Sequence, residues 1–503
     1  MENIDLDRDA CYRALKTRDA RFDGRFYTAV LSTGVYCRPI CPARTPRLEN
    51  CVFLPSAGAA HQLGYRPCLR CRPEVAPGLA GWRGPANSVS RALHLIAEGA
   101  LDEASVDDLA DRLGMGSRHL RRLFDHYVGA SPVSVAQAHR ILFAKKLITE
   151  TTLSMTQIAL AAGFGSIRRF NDVFRRTYGR PPRDLRRTLS DGNGAAGAIT
   201  LKLPFSPPYD WPAIIGFLAA RAIPGVETAD QECYRRTFAF QDMLGVIEVR
   251  PVRGENQLLA TIRSSEVTQL AAVVARLRRV FDLDADAAAI DAHLAADPRL
   301  ATMVRGRPGI RVPGAWDGFE LAVRAVLGQQ ISVPAATTLA GRLAASFGKH
   351  LPLNAEDGEG LPRLLFPSPD AVAYADLTSI GLTRARAHAL QALGQAMSDD
   401  PDLLRASETL EETIEKLRAL PGVGPWTAQY IAMRALREPD AFPASDLGLL
   451  RAMENGHGRP APAELSVMAE PWRPWRAYAA MRLWTQGDGG GSSRQKTLPG
   501  TEV

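Results

Sequence analysis

The chain has 503 residues, too many for one ordinary domain, so three or four units are expected. Its 46% hydrophobic and 23% charged residues exclude a wholly disordered or fibrous protein. No run of 18 or more apolar residues marks a membrane span. The acidic start Met1-Glu2-Asn3-Ile4-Asp5 lacks the layout of a secretory signal, so a cytoplasmic protein is expected. The net charge of +7 is uneven: residues 1–190 carry 29 Lys and Arg against 18 Asp and Glu, the remainder 32 against 36. Such asymmetry points to nucleic acid at the basic end.

Cysteine use is lopsided too. Cys11, Cys37, Cys41, Cys51, Cys68 and Cys71 precede residue 72, and only Cys233 follows, a cluster that favours metal or catalysis over disulfides. Cys37-x3-Cys41 and Cys68-x2-Cys71 are two tight pairs on a longer loop, the usual way to build a tetrahedral zinc site. Such a site is either structural or reactive. Four thiolates around one Zn²⁺ leave a formal charge of −2, which keeps the sulfurs ionised and nucleophilic at neutral pH. A thiolate can take a methyl group without a separate base.

The stretches Thr33-Gly34-Val35-Tyr36-Cys37-Arg38-Pro39-Ile40-Cys41 and Arg66-Pro67-Cys68-Leu69-Arg70-Cys71 resemble the N-terminal zinc domain of the Ada family. The resemblance implies one zinc held by Cys37, Cys41, Cys68 and Cys71, with Cys37 irreversibly accepting a methyl group from a DNA methylphosphotriester. Methylation would change the site from −2 to −1, lessening repulsion from phosphates and tightening DNA binding.

A linker is expected over Pro73–Asn87, with three Pro and three Gly, and helical periodicity follows from about Ser88 to Leu189. Two helix-turn-helix candidates lie there. In the first, Ser117 is a plausible N-cap, Leu120, Leu123 and Phe124 form the buried stripe, and Arg118, Arg121 and Arg122 stay outside. In the second, the helix from Ser166 presents Arg168, Arg169 and Asn171 to a groove. A plain bundle with a solvated basic face fits the same pattern. The succession Ala162-Gly163-Phe164, Phe170, Phe174, Gly179, Pro181 is similar to the AraC family's double helix-turn-helix domain, which implies major-groove contacts by these arginines and Asn171.

After a second expected linker, Ser190–Gly197, strand character occurs at Ile199–Leu203, Thr237–Phe240, Gly245–Val252 and Gln257–Ile262. Helical pattern then runs from Glu266 to about Trp484, and a Gly/Ser-rich tail from Gly487 reads as disordered. Leu420-Pro421-Gly422-Val423-Gly424-Pro425-Trp426-Thr427-Ala428 reads as a hairpin between two helices whose backbone amides can approach a phosphate. Asp446 lies 22 residues beyond Gly424. A lone Asp after a turn is usually a helix cap, but hairpin plus downstream Asp resembles the helix-hairpin-helix DNA glycosylases, where that Asp is catalytic. Pro208-Tyr209-Asp210-Trp211, Gly216–Ala222, Arg324–Val333 and Trp472–Tyr478 narrow the resemblance to AlkA-type 3-methyladenine DNA glycosylases.

Trp426 and Tyr430, four residues apart, share a helix face. With Trp484, at the position of a pocket tryptophan in that family, they can wall a pocket for a flipped, cationic alkylated purine. Packing in the core is the alternative for each tryptophan. Trp426 stands where bifunctional relatives carry a Schiff-base lysine, so a β-lyase route is not expected. The lack of cysteines beyond Cys233 excludes a relative-type iron–sulfur cluster. No Pro-Cys-His-Arg motif is present, so the second methyltransferase domain of full-length Ada proteins is not expected here. Where the family commonly has a wedging Leu, Gln330 stands, and either Gln330 or Ile331 fills that role. Asp440 competes with Asp446 but fits the family spacing less well.

Together these readings give a multidomain, mainly α protein. It comprises a small α+β zinc domain (1–76), an AraC-like double helix-turn-helix (86–189) and an AlkA-like unit. That unit has a small β-sheet subdomain (199–265) and a helix-hairpin-helix all-α glycosylase core (266–486), followed by the tail (487–503). Expected DNA contacts in the last unit are Gln329, Gln330, Gly422, Gly424 and Thr427. The expected function is an alkylation-damage response: a monofunctional glycosylase with Asp446 at its centre, fused to a methylation-activated transcription activator. Expected partners are alkylated DNA, promoter DNA and RNA polymerase, around a monomer associated with the nucleoid. The alternative is a transcription regulator whose C-terminal half only clamps DNA.

Overall fold

The computed structural model describes residues 7–76, 87–186, 198–352, 360–405, 407, 409–454 and 458–487. The linker expected at 190–197 lies outside these residues, as does most of the one at 73–87, although Pro73–Val75 forms a 3-10 turn. The tail beyond 487 lies outside as well, and Gly487 itself closes the last helix, Arg476–Gly487.

Two sheets are present among the described residues. The first has strands β1 (Tyr27–Val30), β2 (Val35–Cys37), β3 (Cys51–Leu54) and β4 (Arg66–Pro67) in the order β3-β1-β2-β4. Only the β2–β4 pair is parallel, and it brings the two cysteine pairs together: the Cys68 amide donates to the Tyr36 carbonyl at 3.0 Å. The second sheet is antiparallel throughout. It contains β5 (Ala198–Pro204), β6 (Glu227–Ala229), β7 (Tyr234–Phe240), β8 (Met243–Pro251) and β9 (Gln257–Ser264) in the order β5-β9-β8-β7-β6. The sequence pattern misses β6 because three residues are too few to show alternation.

Between the sheets, two short helical pairs flank the long helix Pro132–Glu150. The first pair is Val106–Arg112 with Ser117–Tyr127, the second Met155–Ala161 with Ile167–Tyr178. Side chains start most of these helices. Ser105 with Asp108 and Ser154 with Gln157 form capping boxes, and the Ser166 hydroxyl accepts the Arg169 amide, each satisfying otherwise orphaned amides. Ser117 is not a cap, contrary to expectation. Gly116 occupies that place without a side-chain bond, and Ser117 is the first helical residue. Leu120, Phe124, Phe170 and Phe174 are fully buried, as the apolar stripes require.

The second helical pair does not bury its apolar face alone. Ile141, Phe170 and Phe174 share one continuous core with Leu201, Ile247 and Ile262 of the second sheet and with Val273 and Phe281 behind it. Each large apolar side chain so buried contributes about 1.5–3 kcal/mol. A separate core fills the C-terminal helical unit.

Charged groups seal the same junction. Glu74, its side chain fully buried, pairs with Arg72 at 3.0 Å and with the buried Lys145 at 2.7 Å. Arg72 also reaches Glu150 at 3.2 Å, and Glu150 holds Lys146 at 3.0 Å. Glu150 further accepts the Lys202 amide of β5 at 3.2 Å, while Lys146 donates to the Lys202 carbonyl. Burial pushes the Lys145 ammonium below the usual lysine range and the Glu74 carboxylate partly restores it. A buried charge that loses its partner costs far more than the intact pair contributes. Glu74→Gln should therefore lower unfolding stability by about 3–5 kcal/mol in urea titrations, and a combined Glu74→Leu, Lys145→Met variant should recover most of the loss.

Candidate active sites

The four cysteine sulfurs lie within 4.8 Å of one another, with Cys41 and Cys68 4.0 Å apart. A zinc–sulfur distance of about 2.3 Å puts tetrahedral sulfurs about 3.8 Å apart, so the cluster fits zinc. The set is not equivalent. Cys41, Cys68 and Cys71 are buried, whereas Cys37 is partly exposed. The Arg38 amide donates to Cys71 Sγ at 3.3 Å and the Arg70 amide to Cys68 Sγ at 3.4 Å. A backbone bond from Ala43 also favours ionisation of Cys41. Such bonds spread a sulfur's charge and blunt its attack. Cys37 is therefore the most accessible and least damped sulfur. Behind the cluster the buried Arg38 side chain bonds Asp23 at 2.8 Å and the Cys71 carbonyl at 3.0 Å.

On the helix-turn-helix units, Arg118, Arg121, Arg122, Arg168 and Arg169 are exposed and Asn171 is partly buried. Arg122 also bonds the ring of its neighbour His119 at 2.9 Å.

The third site lies under the hairpin formed by Leu410–Arg418 and Pro425–Arg434. The structure makes Asp446 a helix cap and also places its carboxylate in an aromatic cleft. Asp446 caps the helix Leu447–Ala452, its Oδ1 accepting the Leu449 amide at 3.0 Å. It also accepts two indole N–H groups, from Trp484 on Oδ1 at 2.9 Å and from Trp426 on Oδ2 at 2.8 Å. Trp426 stacks on Tyr430 with ring centroids 5.2 Å apart, and Trp484 sits 6.2 Å from Tyr430 at 59°. These groups line a cleft of about 1420 Å³. Asp440 is turned elsewhere, paired with Arg473 and, at 2.7 Å, with Arg476, which leaves it a structural role.

Residues in and behind the cleft escaped the sequence reading. Phe217, buried in the core behind the lining, stacks beside Trp484 at 6.4 Å and carries the Arg221 guanidinium, which does line the cleft, 3.7 Å from its ring centre. Arg434 donates to the Tyr430 hydroxyl at 2.7 Å and was open to discovery, since it lies one turn beyond Tyr430. Burial opposes ionisation of Tyr430, but the charges of Arg434, Arg221 and Arg324 outweigh it and hold the phenol below its usual range. Below them runs a buried ionic lattice: Arg236 to Glu320 at 2.8 Å, and Arg324 to Glu320 at 2.6 Å and to Glu227 at 2.5 Å. Burial would raise the Glu320 carboxyl, but Arg236 and Arg324 bring it down to about 2.

The residues expected to meet DNA divide into two kinds. Gln330 is exposed, in the left-handed region at φ 58°, and Ile331 beside it is partly buried. Gln329 turns inward: its amide nitrogen donates to the Gly422 carbonyl at 2.7 Å and the Thr427 hydroxyl at 2.9 Å. Arg386 donates to the Gln329 carbonyl at 2.7 Å. Gln329 and the buried Thr427 thus clamp the Gln330 loop to the hairpin. Gly424 caps the hairpin's second helix.

Four family descriptions match the chain: "Metal binding domain of Ada" over residues 10–74, "Helix-turn-helix domain" over 109–188, "AlkA N-terminal domain" over 200–317, and "HhH-GPD superfamily base excision DNA repair protein" over 323–477. The probable bifunctional transcriptional activator/DNA repair enzyme AlkA of Mycobacterium tuberculosis is 43% identical over 484 residues, 95% of this chain and 96% of the relative. The DNA-3-methyladenine glycosylase 2 of Escherichia coli is 34% identical over 286 residues, 56% of this chain and 95% of the relative. In fold, 57% of the chain matches 98% of the 3-methyladenine DNA-glycosylase of Archaeoglobus fulgidus, with a TM-score of 0.51 and 22% identity.

Gly422 holds φ +75°, and a Cβ there would lie 2.5 Å from the Ala389 Cβ. Gly422→Ala should therefore cost about 1–3 kcal/mol and weaken binding to duplex DNA, read by thermal unfolding and fluorescence anisotropy.

Proposed function

The chain belongs to the family of bifunctional transcriptional activator/DNA repair enzymes of the AlkA type, and on that premise we propose that its two ends answer one chemical injury, DNA methylation. The C-terminal half is a monofunctional DNA glycosylase that hydrolyses the N-glycosidic bond of alkylated purines such as 3-methyladenine. The N-terminal half accepts a methyl group from DNA methylphosphotriesters on Cys37 and activates transcription through its helix-turn-helix domain. The observation that carries the first reading is the carboxylate of Asp446, held by two indole N–H groups within an aromatic cleft beneath a helix-hairpin-helix.

Gly422 and Gly424 let backbone amides approach a phosphate, and the exposed Gln330 loop fills the space left by an extruded nucleotide. Trp426, Tyr430 and Trp484 supply ring faces that attract a cationic purine by about 0.5–2 kcal/mol. Alkylation at a ring nitrogen has already made the base a good leaving group, so no strong general acid is required. As the glycosidic bond stretches, positive charge grows on the sugar, and Asp446 stabilises it and orients the attacking water. No lysine lines the cleft among its described residues, in keeping with hydrolysis rather than a lyase route.

At the other end, one zinc held by Cys37, Cys41, Cys68 and Cys71 would supply the positive charge that keeps the sulfurs ionised. Cys37 attacks the methyl carbon, and the site's formal charge changes from −2 to −1, which strengthens DNA binding. Arg118, Arg121, Arg122, Arg168, Arg169 and Asn171 then read promoter DNA. The protein works as a cytoplasmic, nucleoid-associated monomer that recruits RNA polymerase and needs no iron–sulfur cluster. No helix of the described residues is long and apolar enough to cross a membrane.

Asp446→Asn should cut release of free 3-methyladenine from alkylated DNA by about 100-fold or more while circular dichroism shows the fold retained; undiminished release would refute the role of Asp446. Incubation with methylphosphotriester DNA should add the mass of one methylene, about 14 Da, to the Cys37 peptide, and Cys37→Ser should take up nothing.

A further inference from the structure

Thr28 stands directly opposite Cys37 in the antiparallel pairing of β1 with β2. Residues paired in this way project from the same face of a sheet, with Cβ atoms about 4.5–5.5 Å apart. Thr28 is completely buried, at 0% exposure, and its Oγ1 has no hydrogen-bond partner. A buried hydroxyl without a partner is unfavourable, and valine would fill the same volume and suit a strand at least as well. The hydroxyl is therefore the feature that needs a reason.

Its surroundings supply one. Thr28 and Cys37 both line a cavity of about 780 Å³. Arg44, Arg47, Arg66, Arg70 and, from the helix-turn-helix unit, Arg180 line the same cavity, and all five are exposed. Five guanidinium groups around a cavity favour an anion, or a group about to become one. A hydroxyl inside, beside the nucleophile, can give that group one directed bond.

We infer that Thr28 contacts the substrate of the methyl transfer: its hydroxyl donates to a phosphoryl oxygen of the methylphosphotriester while Cys37 Sγ attacks the methyl carbon. The inference rests on the reading of Cys37 as methyl acceptor. In the step, a sulfur lone pair forms the S–CH₃ bond and the CH₃–O bond breaks. Its electron pair stays on the phosphate oxygen, which leaves as a diester anion, and no proton is transferred. Negative charge grows on the phosphate as the methyl departs, so a donor already aimed there is worth more in the transition state than in the bound triester. The donor's place opposite Cys37 is fixed by strand register.

The test compares the zinc-loaded full chain with Thr28→Val and Thr28→Ser. Each is treated with an oligonucleotide carrying one methylphosphotriester and, separately, with methyl iodide, whose leaving group has no phosphoryl oxygen. Methylation of the Cys37 peptide is timed by mass spectrometry and zinc content is measured. Thr28→Val should slow methylation by the triester about 10- to 100-fold, leave methylation by iodide and the zinc content unchanged, and be rescued by Thr28→Ser. Equal slowing with both donors, loss of zinc, or an unchanged triester rate would each overturn the inference. A wild-type chain methylated by iodide but never by the triester would instead overturn the reading of Cys37.

Discussion

Negative charge held in place by uncharged N–H donors is the interaction on which both chemical sites depend. Asp446 receives two indole N–H groups and one helix-terminal amide. The sulfurs of Cys68 and Cys71 each receive a backbone amide. A charged partner would neutralise the carboxylate, whereas a neutral donor fixes its position and leaves its charge available; on the proposed reading that charge meets the cation developing on the sugar. At the cysteine cluster the same device works by being unequal. The sulfurs that accept amides are quieted and buried, and the one left most open is the one whose attack the chemistry requires.

The fusion is more than two proteins on a string. Helices of the second helix-turn-helix unit share an apolar core with the five-stranded sheet. The chain Arg72–Glu74–Lys145 and Glu150–Lys146–Lys202 leads from the residue after Cys71 to strand β5. Glu98 and Arg279 add a further pair across the junction at 3.1 Å. Buried ion pairs of this kind specify one arrangement more than they add stability, since unpaired partners are heavily penalised. The orientation of the activator half against the glycosylase half is thereby set by packing and charge together.

What was legible in the sequence is what local spacing encodes. Cys37-x3-Cys41 and Cys68-x2-Cys71, the Gly422–Gly424 turn, and the one-turn separation of Trp426 and Tyr430 all express geometry within a few residues. Asp446 needed the family resemblance, because an isolated Asp after a turn is most simply a cap, and it is indeed one. The rest depends on long-range register. Arg236 and Glu320 are 84 residues apart and Glu227 and Arg324 are 97 apart, so no window along the chain brings them together. Thr28 meets Cys37 only through the pairing of β1 with β2. Gln329 is expected to meet DNA from its motif, and its hydrogen bond across 98 residues to Thr427, which ties the Gln330 loop to the hairpin, is not legible along the chain. The Ser117 cap was misplaced by one residue for a local reason, since Gly116 also tolerates the extended cap conformation.

The charge around the glycosylase cleft bears on how a damaged base is chosen. Six arginines, 221, 236, 324, 418, 434 and 451, line it against Glu227, Glu320 and Asp446. A floor with this balance gives no Coulombic reward to a cationic purine, so tight ground-state binding of the alkylated base cannot be the basis of selection. The attractive terms are the ring faces and, on the proposed reading, Asp446 acting at the sugar rather than at the base. Discrimination on the proposed reading therefore falls in the transition state. A normal purine can enter the same aromatic walls, but its glycosidic bond does not stretch without protonation, and the buried Glu320 of the cleft is held ionised by Arg236 and Arg324. An alkylated purine brings its own positive charge and loses it on departure, so the arginine floor that is indifferent to its arrival favours its release as a neutral base. A broad substrate range is then a consequence of the pocket's electrostatics: the cleft tests the weakness of a bond rather than the position of a methyl group.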